Sequence, residues 1–198
     1  MLSLADEQYA VFRDRMRSVD KSAFVTRLLD IDDHGYALRS EVYGRLADEF
    51  GLDNTVAVEL ERHFWQEYAR RCDVSDDTRI TLETLRAAGK KLGVISNGQT
   101  DWQLKKLEGL GLANSFDLVM VSQAEGIRKP DPRIFHLAAE RLGVAPHEAM
   151  FVGDQPQVDA EGAHNAGLVG VWKRMPYWTL TIGDVLVVDR LSEILPHV

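Results

Sequence analysis

Short apolar runs alternate with longer amphipathic segments after about residue 80, and this alternation restricts the possible folds more than any other feature. The apolar runs are Leu92–Ile95, Leu118–Val121, 149–152, 169–172 and 185–188, and a glycine ends each of the main amphipathic segments between them. Runs of about four apolar residues are typical of buried strands, and the segments between them are long enough for helices. Strands that alternate with helices form right-handed βαβ units. The sequence therefore predicts an α/β fold with a parallel sheet.

The first 79 residues show a different pattern, with apolar side chains at three- and four-residue steps and no alternation of period two. Such spacing indicates amphipathic helices, and we predict a bundle of about four. The change of pattern falls near the acidic stretch 73–77. We therefore predict two domains, a helical one over residues 1–77 and an α/β one over residues 78–198.

Composition excludes several classes of partner. The formal net charge is −8, whereas nucleic acids and anionic membranes attract surfaces rich in lysine and arginine. No apolar run approaches the roughly 20 residues of a membrane span. The single cysteine, Cys72, has no second cysteine in the chain to pair with. We expect no nucleic acid and no membrane as partners, and a cytoplasmic location.

Polar residues that could bind a ligand or take part in a reaction follow the predicted strands. Ser96, Asn97 and Gly98 follow the first run, where a hydroxyl and backbone N–H groups can hold a phosphoryl oxygen. An ordinary strand-to-helix turn with a Ser/Asn cap explains the same residues. Lys129 lies in a loop stiffened by two prolines, which would fix the position of its ammonium group. The alternative is a solvated surface lysine.

Two carboxylates follow the third run. Asp154 comes directly after the run and its glycine, and Asp159 lies five residues further on. Ligands of open α/β sheets bind at the carboxyl ends of the strands, and Mg²⁺ prefers carboxylate and phosphate oxygens there. A helix cap would explain one such carboxylate. The three polar segments taken together, at successive strand ends, predict one phosphate-binding magnesium site.

These segments resemble known motifs. Ser96–Gly98, Lys129–Pro132 and Gly153–Asp154 with Asp159 are similar to motifs II, III and IV of the haloacid dehalogenase superfamily, in that order. The resemblance covers residues 78–190. It implies a three-layer, doubly wound parallel sheet, and the N-terminal part is similar to the all-helical cap of that superfamily.

The resemblance also implies roles for the residues. Ser96, with Asn97 and Gly98, would bind the transferring phosphoryl group, and Lys129 would stabilise a phosphoaspartyl intermediate. Asp154 would bind Mg²⁺, and Asp159 would support the metal or Lys129. We list Ser96, Lys129 and Asp159 as candidate catalytic residues, and Asp154 and Asp159 as candidate metal ligands.

The first motif of the superfamily, a strand ending in Asp-x-Asp-x-Thr, has no clear match. Asp30 and Asp32 imitate its spacing, but the residues before them are more typical of a helix end. We therefore expect the first core strand and its nucleophile to be missing. The two strands that would flank it are expected to close up, or residues 1–20 or a partner chain in an oligomer to fill the space.

The resulting functional prediction is a Mg²⁺-dependent phosphatase of small phosphorylated metabolites, impaired in the chain as written. Two alternatives stay open. One is a non-catalytic module that binds phosphate or a partner, and the other is 2-haloacid dehalogenation, which needs no Mg²⁺.

Overall fold

The computed structural model of the chain describes residues 2–71, 73–180 and 182–198. Its contacts divide the chain into two compact units, Met1–Cys72 and Asp73–Val198. Among the described residues, no helix has both the length and the apolar character needed to cross a bilayer.

The first unit is helical over residues 2–71. Its α-helices are α1 (Leu2–Val11), α2 (Lys21–Asp32), α3 (Arg39–Phe50) and α4 (Asn54–Arg71). Local sequence explains the helix ends, since the Asp20 carboxylate accepts a hydrogen bond of 3.0 Å from the backbone N–H of Ala23 at the start of α2. Gly51, with a φ of 61°, ends α3 in a conformation that favours glycine.

The core of this unit consists of apolar side chains at the spacing noted in the sequence. It includes Phe24, Leu28, Ile31, Val42, Tyr43, Leu46, Leu60 and Phe64. A polar pair crosses the core, because the buried Tyr43 hydroxyl donates to Gln8 and Gln8 donates to the carbonyl of Leu60.

Asp30 and Asp32, the alternative nucleophile pair, both lie in α2 and not at the end of a strand. Asp32 is buried and forms an ion pair with Arg39, whose guanidinium lies 4.5 Å from the centre of the Phe64 ring. The carboxylate of Asp32 is therefore buried in the core of the first unit and paired with Arg39, while Asp30 is exposed.

The second unit contains five strands among its described residues. They are β1 (Gly93–Ser96), β2 (Leu118–Val121), β3 (Met150–Gly153), β4 (Val169–Lys173) and β5 (Leu186–Val188). All strand pairs are parallel, as predicted, but they form two sheets, of order β1-β2 and β3-β4-β5. The predicted single sheet is thus divided between β1 and β3.

Helices cover both faces of these sheets. They are α5 (Asp76–Ala87), α6 (Thr100–Gly109), α7 (Ser122–Glu125), α8 (Pro132–Leu142) and α9 (Gly162–Asn165), with a π-helix at Pro156–Glu161 and 3₁₀ turns at Pro146–Glu148 and Leu191–His197. The π-helix and α9 together fill the amphipathic segment between β3 and β4. The carboxylate of Asp77 accepts hydrogen bonds from Leu191 and Ser192, and the Ser192 hydroxyl chiefly lowers the pKa of Asp77.

Two apolar clusters hold the divided sheet in one three-layer structure. On one face, Ile95 of β1 and Met120 of β2 belong to the same cluster as Phe135 of α8, and Phe151 of β3 packs against them. The cluster on the other face includes Leu85, Leu92, Val171, Val188 and Ile194. Burying a large apolar side chain contributes roughly 1.5–3 kcal/mol, so such clusters can join the sheets without backbone pairing.

The two unpaired edges leave what we call the inter-sheet gap, between β1 and β3. The apolar residues Met150, Phe151 and Val152 of β3 are only partly buried, whereas Val171 and Trp172 of β4 are 0% and 3% exposed. The expected closing of the flanking strands is not seen, because among the described residues β1 and β3 belong to separate sheets and do not pair with each other. Residues 2–20 do not form a strand; they form α1 and a 3₁₀ turn of the first unit.

We expect Gly170→Ala to destabilise the second unit. A Cβ at Gly170 would lie well inside van der Waals distance of the Ala160 carbonyl oxygen, a backbone atom of the π-helix. Overpacking of this kind costs about 1–3 kcal/mol. Gly44→Ala in α3 is the control, because no atom lies within 4 Å of the added Cβ. It should stabilise the chain by about 0.5–1 kcal/mol. Urea unfolding measures both, and an unchanged midpoint for Gly170→Ala would contradict this close packing.

Candidate active site

The loop after β1 turns sharply and is held by a neighbouring serine. Ser96 is the last residue of β1, and Gly98 has a φ of 144°, in the region that favours glycine. The backbone N–H of Gly98 donates a 3.0 Å hydrogen bond to the hydroxyl of Ser122, which follows β2. The N–H of Gly98, which we predicted to bind substrate, is therefore used within the protein.

The side chain of Asn97 joins this loop to the loop that carries Lys129. Its Nδ2 donates to the backbone carbonyl of Lys129 and its Oδ1 accepts from the backbone N–H of Lys129, both at 3.0 Å. Both polar atoms of the carboxamide thus bind main chain 32 residues away. Asn97 fixes the position of the Lys129 backbone relative to the end of β1.

The ammonium group of Lys129 forms an ion pair with Asp159. Its Nζ lies 2.8 Å from Oδ1 of Asp159, and the two side chains are only 10% and 6% exposed. The same Nζ lies 4.9 Å from the centre of the Phe151 ring, on whose face a cation is attracted. The second oxygen of Asp159 accepts a 3.1 Å hydrogen bond from the backbone N–H of Gln155. Both carboxylate oxygens of Asp159 are therefore occupied.

The last residue of β3 has to be a glycine for this pair to form. A Cβ at Gly153 would overlap the side chain of Asp159. Asp159 therefore lies directly against the carboxyl end of β3. The contacts run from the end of β1 through Asn97, Lys129 and Asp159 to Gly153, and they bring the three predicted segments together at one edge of the unit.

Asp154 follows β3 at the same edge and is partly exposed. Its backbone carbonyl accepts a 3.1 Å hydrogen bond from the indole N–H of Trp172 on β4, which fixes the main chain there. Mg²⁺ is bound in proteins through one or two carboxylates, with water and substrate phosphate as the other ligands. The partly exposed carboxylate of Asp154 fits that donor set, whereas Asp159 is engaged by Lys129 and Gln155.

Asp131, in the same loop as Lys129, caps the start of α8. Its side chain accepts from the backbone N–H of Arg133 at the start of α8 and pairs with the Arg133 guanidinium. These hydrogen bonds, the side-chain one above all, lower the pKa of Asp131 to about 2.

Sequence reasoning missed three residues of this site. They are Ser122, Phe151 and Gln155, which contact Gly98, Lys129 and Asp159 in that order. Ser122 could have been found, because it lies at the end of a strand, as Ser96 does. Nothing in the sequence marks the other two, since one acts through its ring face and the other through its backbone.

The chain matches the family of haloacid dehalogenase-like hydrolases over residues 13–167. This match covers most of the chain, and with the fold and the loop contacts above it places the protein in that family.

Curated relatives of the chain include phosphatases. It is 42% identical over 134 residues to a phosphoserine phosphatase from Thermus thermophilus, covering 68% of this chain and 53% of the relative. It is 46% identical over 95 residues to a glyceraldehyde 3-phosphate phosphatase from Methanopyrus kandleri, covering 48% of this chain and 41% of the relative. The chain thus spans about half the length of the curated relatives that it matches.

Solved structures with the same fold include enzymes of two kinds. A 2-haloacid dehalogenase from Pseudomonas syringae gives a TM-score of 0.67 at 27% identity, over 98% of this chain and 87% of that one. A phosphatase of the family from Thermococcus onnurineus gives 0.66 at 29% identity, over 94% and 82%. The similarity of the two scores means that the fold does not distinguish the two chemistries.

We expect Asn97→Ala to destabilise the second unit by about 1–3 kcal/mol, because it leaves the N–H and the carbonyl of Lys129 without their partner. Asn114→Ala is the matched control, since Asn114 is exposed. Its effect should stay within about 0.5 kcal/mol. Denaturant unfolding of both variants measures the difference, and equal effects would mean that the Asn97 bonds contribute nothing.

We expect Lys129→Met to cost about 3–5 kcal/mol, because it leaves a nearly buried carboxylate without its cation. Adding Asp159→Asn removes that charge, so the double variant should be more stable than Lys129→Met alone. Arg17→Met serves as the control, since Arg17 and Asp14 form an ion pair with side chains 78% and 90% exposed. Strictly additive losses in the double-mutant cycle would show that the ammonium and the carboxylate do not interact.

Proposed function

We propose that this chain carries the phosphate-binding end of a Mg²⁺-dependent phosphatase that acts on small phosphorylated metabolites. The observation that carries the proposal is the ion pair of Lys129 and Asp159, placed beside Gly153 and Asp154 at the carboxyl edge of the strands. The phosphatases among the curated relatives support the same reaction class.

In this proposal each side chain has a separate task. The Ser96 hydroxyl, at the end of β1, binds a phosphoryl oxygen, and the Lys129 ammonium stabilises the charge that develops on the phosphoryl group. Asp159 holds Lys129 in place, and Asn97 holds its backbone. Asp154 would bind Mg²⁺, which when bound offsets negative charge on the phosphate.

The nucleophile is not among the residues that meet at this edge. We infer that the inter-sheet gap takes an extended strand, which pairs with the free edges of β1 and β3 and ends in Asp-x-Asp-x-Thr. The first carboxylate of that strand would attack phosphorus and form a phosphoaspartyl group, while the second would protonate the leaving oxygen. The partial exposure of Met150, Phe151 and Val152 supports an open gap.

A non-catalytic role is the second candidate. The divided sheet favours it, because a chain whose gap stays empty can bind an anion at Ser96 and Lys129 but has no nucleophile beside them. Such a chain would bind inorganic phosphate and release none from a substrate.

The test supplies the strand. A segment of about ten residues, apolar and ending in Asp-x-Asp-x-Thr, is joined to the N-terminus by a flexible linker long enough to reach the gap. We expect Mg²⁺-dependent release of phosphate from phosphoserine or glyceraldehyde 3-phosphate. Asn at the first Asp of the segment should abolish the release, and so should Asp154→Asn. The untouched chain and a segment of scrambled sequence are the controls.

Other outcomes point elsewhere. Turnover by the untouched chain that is lost in Asp30→Asn would place the nucleophile in α2 and contradict the proposal. Protection of the added segment from hydrogen exchange shows that it is bound. If such a chain binds phosphate without turnover, the result supports the non-catalytic role. Release of halide from a 2-haloacid without Mg²⁺ would favour dehalogenation.

A further inference from the structure

Three side chains that can bind metals lie together in the first unit, and the function proposed above does not use them. They are Glu7 of α1 and His63 and Glu67 of α4, and their ligand atoms all lie within 4.8 Å of one another. His63 and Glu67 are four residues apart, which places them one turn apart on one face of α4. Glu7 belongs to a different helix, so the spacing of residues along the chain does not point to it.

The imidazole of His63 is fixed and incompletely satisfied. Its ring packs edge-on against Phe12, with centres 5.7 Å apart and planes at 87°. Nε2 lies 3.9 Å from Oε1 of Glu7, whereas Nδ1 is buried and, among the described residues, has no hydrogen-bond partner. Nε2 is therefore the ring nitrogen that faces the carboxylate, so a metal ion beside Glu7 would bind Nε2 and leave the ring proton on Nδ1.

A cation already lies at these carboxylates. The guanidinium of Arg71, at the end of α4, contacts Glu7 and lies 3.8 Å from Oε2 of Glu67. The side chain of Arg71 is 40% exposed and can move into solvent. Arg71 and a metal ion would therefore compete for the same two carboxylates.

We propose that Glu7, His63 and Glu67 form a binding site for a divalent transition-metal ion of the Zn²⁺ class. One imidazole with two carboxylates suits such ions, and the imidazole disfavours Mg²⁺ and Ca²⁺. Ligands about 2.0–2.2 Å from one ion lie roughly 3–4 Å apart, so small side-chain rotations close the site. Water fills the remaining positions. The bound ion links α1 to α4 and stabilises the first unit.

Zn²⁺ titration by calorimetry, with thermal unfolding as a second readout, tests the proposal. All chains carry Cys72→Ser, so that the single thiol cannot bind the ion. We expect one equivalent of Zn²⁺ to bind and to raise the unfolding temperature. His63→Gln and Glu67→Gln should each weaken binding by about tenfold or more. Excess Mg²⁺ is present throughout, so that Zn²⁺ does not bind at Asp154 in the candidate active site. Asn114→Ala, at an exposed residue of the second unit, should leave the Zn²⁺ binding unchanged.

Arg71→Gln separates a metal site from a simple network of ion pairs. If the ion and Arg71 compete, removing the guanidinium should tighten Zn²⁺ binding, while the metal-free chain becomes less stable. Binding that Arg71→Gln weakens, or that His63→Gln leaves intact, would overturn the proposal. So would the absence of Zn²⁺ binding in a chain whose circular dichroism shows it to be folded.

Discussion

The candidate active site depends on one buried ion pair, between Lys129 and Asp159. Removing two charges from water is costly, and their attraction offsets this cost only when the other polar atoms are also satisfied. Here the backbone N–H of Gln155 donates to the second carboxylate oxygen of Asp159, and the Phe151 ring lies beside the Lys129 ammonium. Gly153 leaves the space that the carboxylate occupies. All of these contacts to the pair come from β3 and the segment that follows it, whereas Lys129 comes from the loop before α8, so the geometry of the site depends on two segments meeting at the edge.

The same pair also connects the two halves of the divided sheet. Lys129 follows β2 of the first sheet, whereas Asp159 follows β3 of the second. Their ion pair and the Asn97 hydrogen bonds connect the carboxyl ends of the two sheets, and the apolar clusters connect their faces. Backbone pairing between β1 and β3 is therefore not required to bring the polar loops together. This explains how a chain with an open gap keeps the arrangement on which the proposed chemistry rests.

The sequence predicts the strands, the parallel pairing and the order of the polar loops, because each strand is a local apolar run followed by polar residues. It does not predict the division of the sheet, since an apolar run looks the same whether or not its edge is paired. The π-helix is not predicted either, since the local pattern of apolar and polar residues does not distinguish it from an α-helix. Local sequence gives no sign of the hydrogen bonds between Asn97 and the backbone of Lys129, because the two residues lie 32 positions apart. Side chains whose role depends on such distant contacts are beyond local patterns.

The net charge of the side chains at the carboxyl edge of the strands bears on whether the site suits a phosphorylated substrate or a 2-haloacid. The Lys129 ammonium pairs with Asp159, and Asp154 adds a second carboxylate at the same edge, so these three groups together carry one net negative charge. The Asn97 carboxamide and the Gly98 N–H are used within the protein, which leaves few donors for an anion. A phosphate dianion would be repelled by this edge in a medium of low dielectric constant. A divalent cation at Asp154 would make the net charge of this edge positive, because its two positive charges exceed the one net negative charge of these residues. The charges of these residues therefore support the proposed metal-dependent phosphate chemistry over a dehalogenation that needs no metal.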